Sequence, residues 1–267
     1  MAGLPEKLVL LLSLFALVLL SGCAEKQIDP VDPDNILVET ASVTIREFNE
    51  KNVTVTVTNN DVQAINSVTV AEFTPLTVKE SSSANLSGKK ENTDSFILDA
   101  RIVAPAFETS TNGSAVIITY LSGMDEKGRP LQKTKSVPAN IVILPDAQLQ
   151  FLGFVKDKSS LRTNPEESWE LEAGDNATIT YSVKNNGQST IPAGMLTIVA
   201  EVDNESIALN ASNNFTESIA KSGTSYTKGL DLPVNEDAPD GETDVYVKLM
   251  YGNYTVDEQS LLLKVKS

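Results

Sequence analysis

Residues Asn52–Asn59 read NVTVTVTN, and this stretch decides the fold class. Valine and threonine alternate strictly, so Val53, Val55 and Val57 face one way and the threonines face the other. A β-branched pattern of period two predicts a half-buried strand, and the polar triplet Asn59-Asn60-Asp61 predicts a turn at its end.

The same alternation recurs along the chain, and helical periodicity is nearly absent from Ile36 onward. Further strands are predicted at Val68–Phe73, Phe96–Val103, Ala115–Leu121, Ile141–Leu144, Ala177–Lys184, Leu196–Val202, Asn214–Ile219, Ser225–Leu232, Thr243–Tyr251 and Ser260–Val265. Short strands without intervening helices predict an all-β protein of two tandem antiparallel immunoglobulin-like β-sandwiches. Pro145 separates the two sets, which gives sandwich domains at 36–144 and 145–267.

The first 22 residues have the pattern of a secretory signal peptide. Lys7 precedes Leu8–Leu20, an apolar run of thirteen residues broken only by Ser13, which is too short to span a bilayer as a helix. The run ends in Leu20-Ser21-Gly22-Cys23, which resembles the lipobox of prokaryotic lipoproteins. The resemblance implies cleavage before Cys23, lipidation of its thiol, and a lipidated tether over 23–35. An uncleaved anchor helix, or a plain signal peptide with an unrelated cysteine, is the alternative.

Eight asparagines stand in the glycosylation pattern Asn-x-Ser/Thr, about twice the number that the composition predicts by chance. They are Asn52, Asn85, Asn112, Asn176, Asn204, Asn210, Asn214 and Asn253. Glycosylation of an exported protein is one interpretation, and the abundance of Asn, Ser and Thr in strands and turns is the other. Together with the lipobox, the pattern favours an archaeal envelope over a bacterial one.

The second half contains a series of strand and turn segments in a fixed order. They are ATITYSVKNNG (177–187), IPAG (191–194), Leu232-Pro233, APDG (238–241) and the strand Thr243–Tyr251. This series resembles the CARDB-type, immunoglobulin-like domains of prokaryotic surface proteins. The first half shares only the strand and its asparagine turn, Val53–Asn60. The resemblance implies a binding or spacer module and not an enzyme.

Composition excludes several classes of function. The 267 residues include no histidine and one cysteine, so histidine-based catalysis, histidine metal ligands and an internal disulfide are excluded. The net charge of −15 disfavours a nucleic-acid partner. The charge is uneven: 36–144 carry 10 basic and 12 acidic side chains, whereas 145–267 carry 9 and 19. A partner is therefore expected at the second domain.

Two acidic clusters are candidates for a structural Ca²⁺, although solvated acidic loops are the simpler interpretation. The first, in the tether, comprises Asp29, Asp32, Asp34 and Asn35. The second lies in a loop between strands and comprises Asp237, Asp240, Glu242 and Asp244. No cofactor and no catalytic residue is expected.

Three further features do not by themselves indicate a function. Trp169, the one tryptophan, is either an exposed recognition anchor or a cover for the core of the second domain. Ser81-Ser82-Ser83 with Lys89-Lys90 is read as a polar loop, not as a nucleophile with its base. Carboxylate pairs for polysaccharide hydrolysis exist in any chain with 36 acidic residues.

The sequence therefore predicts an exported, lipid-anchored protein on the outer face of the cytoplasmic membrane. Its expected action is non-catalytic: binding, adhesion or envelope structure, with another envelope or surface protein or a glycan as partner. The alternative is an accessory docking subunit of a membrane-bound transporter or redox complex.

Overall fold

The structure is a computed structural model that describes residues 28–88, 94–107, 113–156 and 169–266, with the backbone alone for 151–156, 169–170 and 224–228. The signal peptide (1–22), Cys23 and Asn112 lie outside the described residues. The strands are β1 (Ile36–Thr40), β2 (Val43–Arg46), β3 (Glu50–Asn59), β4 (Ile65–Thr74), β5 (Thr77–Ser81), β6 (Ala84–Leu86), β7 (Asp94–Val103), β8 (Ala115–Met124), β9 (Pro130–Pro138), β10 (Ile141–Leu144), β11 (Ala147–Lys156), β12 (Trp169–Leu171), β13 (Asn176–Asn185), β14 (Leu196–Val202), β15 (Ala211–Asn214), β16 (Thr224–Pro233), β17 (Gly241–Tyr251) and β18 (Tyr254–Val265).

The described chain divides into two compact units. Unit 1 holds the chain up to Ser42 together with Asn52–Ile102 and Gly113–Asn140. Unit 2 holds Val43–Lys51, the segment that begins at Val103, and the chain from Ile141 onward. Unit 2 thus includes β2 and β10, which precede Pro145 in the sequence.

Unit 1 has two four-stranded sheets, in the orders β1-β3-β7-β5 and β6-β4-β8-β9. The valines of β3 point into the core, since Val53 is 9% exposed and Val55 and Val57 are fully buried. Alternate residues of β8 are buried in the same way: Val116, Ile118 and Tyr120. The two sheets thus each contribute one apolar face to the interior, as in a sandwich.

Unit 2 has a three-stranded sheet, β11-β13-β16, and a five-stranded sheet, β12-β18-β17-β14-β15. Residues from both sheets form one buried apolar cluster, which includes Ile179 and Tyr181 of β13, Ile198 of β14, and Val247 and Leu249 of β17. β2 and β10 form a separate parallel pair. β12 joins the edge of the larger sheet, parallel to β18.

The all-β prediction is confirmed: the one helical element among the described residues is a three-residue 3-10 turn at Pro33–Asn35. Two details differ from the sequence analysis. β15 ends at Asn214, and in the segment after it Ile219 makes an isolated bridge with Ile191. The three successive apolar residues Val116-Ile117-Ile118 predict a strand covered on both faces, but Ile117 is half-buried because β8 has its core on one face only.

No helix in the described part of the chain has the length and apolarity that crossing a membrane requires.

Candidate functional site

The outward side of the larger sheet of unit 2 carries a cluster of charged side chains. Strand alternation produces it: Val245, Val247 and Leu249 are buried, so the side chains between them on β17 point outward. These outward residues are Tyr246 and Lys248, and Asp244, which precedes Val245, is exposed in the same way. With Glu201 and Asp203 at the end of β14 and Glu258 on β18, they form what we call the acidic face.

The register of the strands sets the geometry of the acidic face. Tyr246 lies opposite Glu201 on one side and Ser260 on the other. Lys248 lies opposite Val199 and Glu258. Side chains directly opposite in a sheet are about 5 Å apart at Cβ, and diagonal neighbours are within reach of long side chains. Two carboxylates, those of Glu201 and Glu258, therefore flank the ammonium group of Lys248, and those of Asp203 and Asp244 lie near Tyr246.

Lys248 is the electrostatic centre of this face. Its Nζ donates a hydrogen bond to Glu201 Oε2 and lies 3.9 Å from Glu258 Oε2. These carboxylates raise the pKa of Lys248, mainly through the hydrogen bond to Glu201. The nearby charges of Asp203 and Asp244 raise the pKa of Tyr246. Lysine and phenol are therefore both protonated at neutral pH, and the face carries a net negative charge.

A shallow groove of about 440 Å³ runs across the acidic face, lined among others by Glu201, Asp203, Asn210, Tyr246, Lys248 and Glu258. It combines hydrogen-bond acceptors with one half-buried aromatic ring. Such a groove can bind a cationic or polyhydroxylated partner through acceptors and ring contact. The amide of Asn210 closes one side: its Oδ1 accepts from Val202 N at 2.7 Å, and its Nδ2 donates to Glu205 Oε1 at 3.2 Å.

The seven glycosylation candidates that the structure describes are all exposed. They are distributed over both units: Asn52 and Asn85 in unit 1, and Asn176, Asn204, Asn210, Asn214 and Asn253 in unit 2. Some amide oxygens are engaged locally. Asn85 Oδ1 accepts from Ser67 N at 2.9 Å, and Asn214 Oδ1 accepts from Thr197 Oγ1 at 3.1 Å.

The calcium candidates are not brought together. Within the described ranges, no group of three or more Asp, Glu, Cys or His side chains could hold a metal ion. Glu242 instead pairs with Lys264 at 2.6 Å. In the tether cluster, Asp32 caps the 3-10 turn by accepting from Asp34 N, Asp34 lies 3.4 Å from Lys135, and Asn35 donates to Asp61. Asp237, Asp240 and Asp244 belong to no such group.

The remaining candidate residues either form hydrogen bonds with neighbouring strands or lie outside the described residues. Ser81 Oγ accepts from Val70 N, and Ser82 Oγ accepts from Asp99 N, so both hydroxyls brace the strands beside them. Lys89 and Lys90 are outside the described residues, as is the side chain of Trp169. The backbone of Trp169 pairs with Leu263.

One buried acidic residue had no signal in the sequence. Glu47 is 2% exposed and lies just after β2. Its Oε1 accepts from Asp146 N at 3.0 Å, and its Oε2 accepts from Phe107 N at 3.1 Å. The preceding residue, Arg46, donates to Val256 O at 2.6 Å and pairs with Asp146 at 3.3 Å. These contacts join three separate segments of unit 2, so the role of Glu47 is structural.

No protein-family model matches the chain, and no curated protein matches it. Among solved structures, a protein of unknown function from Porphyromonas gingivalis W83 is similar over 87% of this chain and 100% of its own, at 13% identity and a TM-score of 0.26. Red sea bream transglutaminase is similar over 87% of this chain and 31% of its own, at 10% identity and a TM-score of 0.34.

Proposed function

We propose that this protein is exported, anchored to the outer face of the membrane by a lipid on Cys23, and acts without catalysis as a binding or structural component of the cell envelope. The observation that carries the proposal is the sequence Leu20-Ser21-Gly22-Cys23 directly after an apolar run of thirteen residues. Cys23 is the one cysteine of the chain, and two acyl chains on it would give the stable anchoring that one chain does not give.

The acidic face of unit 2 supports a binding role. Its carboxylates are exposed, its one lysine is already paired, and its groove is open and shallow. The partner that fits is a basic surface of another envelope protein or a glycan. The exposure of the seven described sequon asparagines supports the further proposal that the protein is glycosylated.

The anchor is tested by the variant Cys23→Ser in the native host. We expect the protein to move from the membrane fraction to the soluble or secreted fraction, because the thiol that carries the lipid is gone. Ser13→Ala, inside the apolar run, is the matched control and keeps the protein in the membrane fraction. Retention of Cys23→Ser in the membrane fraction would contradict the proposal.

The second candidate is a docking subunit of a membrane-bound transporter or redox complex. The charged side chains that stand in register across β14, β17 and β18 on the acidic face favour it. Purification in a mild detergent distinguishes the two candidates. Co-purification of a stoichiometric integral-membrane partner supports the docking subunit if the partner binds the acidic face. In that case the double variant Glu201→Lys with Glu258→Lys releases the partner. The control Glu39→Lys, at an exposed site in unit 1, does not release it. Purification as a single species supports the first candidate.

A further inference from the structure

The first described residues lie against the end of β8 in unit 1. Met124 N donates to Ile28 O at 2.9 Å, and Val31 N donates to the buried Ser122 Oγ at 2.7 Å. Val31 itself is 1% exposed. The segment Ile28–Val31 is therefore fixed to unit 1 by two hydrogen bonds and one buried side chain.

Gly123 makes this close approach possible. Its φ is +71°, a conformation that side-chain-bearing residues rarely adopt. A Cβ on Gly123 would lie 2.5 Å from Ile28 O and 2.7 Å from Pro30 N. The backbone of the N-terminal segment therefore occupies the space that a side chain would need, and the place where the tether leaves unit 1 is well defined.

An apolar opening lies at the same place. A cavity of about 360 Å³ is lined by Ile28, Ala64, Leu121, Met124 and Pro130, with a few polar neighbours. Ile28 is 43% exposed and Met124 is 42% exposed. Val62, which precedes the cavity-lining Ala64 by two residues, is 75% exposed. We call Ile28, Val62 and Met124 the exit patch.

The chain between Cys23 and Ile28 is short. Five residues span at most about 18 Å when fully extended, and a flexible chain of this length averages about 12 Å. A lipid on Cys23 would hold its sulfur at the membrane surface, whose headgroup layer is about 6 Å thick on each side. A short link of this kind raises the effective concentration of the surface to the millimolar range, so weak apolar contacts suffice for docking.

We propose that the exit patch docks into the headgroup layer of the bilayer in which the lipid on Cys23 is embedded. This inference rests on the proposed lipid anchor. The charged residues beside the patch suit such a layer: Asp125 pairs with Arg129 at 2.7 Å in the turn after β8, and Lys127 is exposed there. The ligand is a zwitterionic lipid surface, which tolerates both signs of charge.

The test uses the full lipidated chain in phosphatidylcholine vesicles that contain a nitroxide-labelled lipid. Met124→Cys carries a thiol-reactive fluorophore, and the native Cys23 does not react because its sulfur is in a thioether. Ser136→Cys on β9 is the matched control. It is exposed and pairs with Ile117, seven residues and about 23 Å from Met124 along β8.

We expect quenching at position 124 to exceed quenching at position 136 by at least about threefold, and Ile28→Ser to reduce this ratio by at least about twofold. Val62→Cys is a second reporter site, for the case that labelling at 124 disturbs folding. Equal quenching at the patch and the control site overturns the inference. The inference is also overturned if the fluorescence at position 124 changes with the density of protein on the vesicles and not with the amount of nitroxide lipid. The exit patch would then contact a second copy of the protein.

The mass of the N-terminal peptide, measured on the same sample, separates the two proposals. An unmodified Cys23 means that the proposed anchor has failed. A lipidated Cys23 together with equal quenching means that only the docking of the exit patch has failed.

Discussion

Asn59 and Asn185 are fully buried, although each stands at the start of a polar turn. Asn59 Nδ2 donates to Gln63 O and Ser87 O, and its Oδ1 accepts from Asp61 N. Asn185 Nδ2 reaches the carbonyls of Ser189, Ile219 and Ala220, and its Oδ1 accepts from Gly187 N. Each asparagine thus holds loop segments at the end of a long strand, which explains why both halves of the sequence share this motif.

Replacing Asn185 by aspartate should destabilise the protein strongly. The change removes both N–H donors and places a carboxylate against three carbonyl oxygens in a buried site, so we expect a loss of more than about 3 kcal/mol in the free energy of unfolding. Asn186→Asp is the matched control, because Asn186 is exposed and should change stability by less than about 0.5 kcal/mol. Urea unfolding measures both, and equal effects would refute this role for Asn185.

Tyr181 makes the stability of the protein depend on alkaline pH. Burial raises the pKa of Tyr181 to about 12, above its ordinary value of 10.0. The folded state favours the neutral phenol. The contribution of Tyr181 to the free energy of unfolding is therefore complete below pH 10 and is lost as the pH rises from 10 through about 12.

The variant Tyr181→Phe isolates this contribution. Between pH 9 and pH 11 the wild type should lose about 1.4 kcal/mol more unfolding free energy than Tyr181→Phe, since other alkaline groups titrate equally in both proteins. Urea unfolding at the two pH values measures the difference. Parallel losses in the two proteins would show that the phenol is not held neutral by the fold.

At the scale of the strands, alternation predicted the long central elements well. The segments around Val55, Ile179 and Val247 bury one face, as the sequence indicates. The short strands β5, β6 and β12 were missed, because three to five residues carry too few alternations to be distinguished from loops. Strand β10 was predicted at Ile141–Leu144, but β2 and the parallel pairing of these two strands were missed, since nothing in either segment indicates which distant strand it joins.

The acidic face was predictable only in part. The composition locates the excess negative charge in the second half of the chain, and the alternation within Thr243–Tyr251 puts Tyr246 and Lys248 on the face opposite Val245 and Val247. The approach of Glu201 and Glu258 to Lys248 follows from strand order and register, which local sequence does not encode. Glu47 gave no signal because its partners are backbone groups of two distant segments.

Glu47 should be needed to hold together the segments around Glu47, Phe107 and Asp146. In Glu47→Gln one oxygen becomes an amide that faces a backbone N–H donor, which leaves a buried donor unsatisfied and should cost about 1–3 kcal/mol. Glu39→Gln, at an exposed position of β1, is the control and should be nearly neutral. Chemical denaturation measures both variants. A neutral effect of Glu47→Gln would mean that the two hydrogen bonds contribute little.

For the molecule as a whole, three features bear on the proposed role as a surface protein. The chain has no histidine, its buried polar groups Asn59, Asn185 and Glu47 are occupied by structural hydrogen bonds, and its charged groove is open. A net charge of −15 keeps such a protein soluble and repels other anionic surfaces. The proposed role of these features requires that the protein is anchored at the membrane surface.

The mass of the N-terminal peptide, from protein purified out of the membrane fraction, tests the central claim most directly. We predict a peptide that begins at Cys23 and carries the added mass of a lipid with two hydrocarbon chains. A mature protein that begins at another residue, or an unmodified Cys23 thiol, would contradict it.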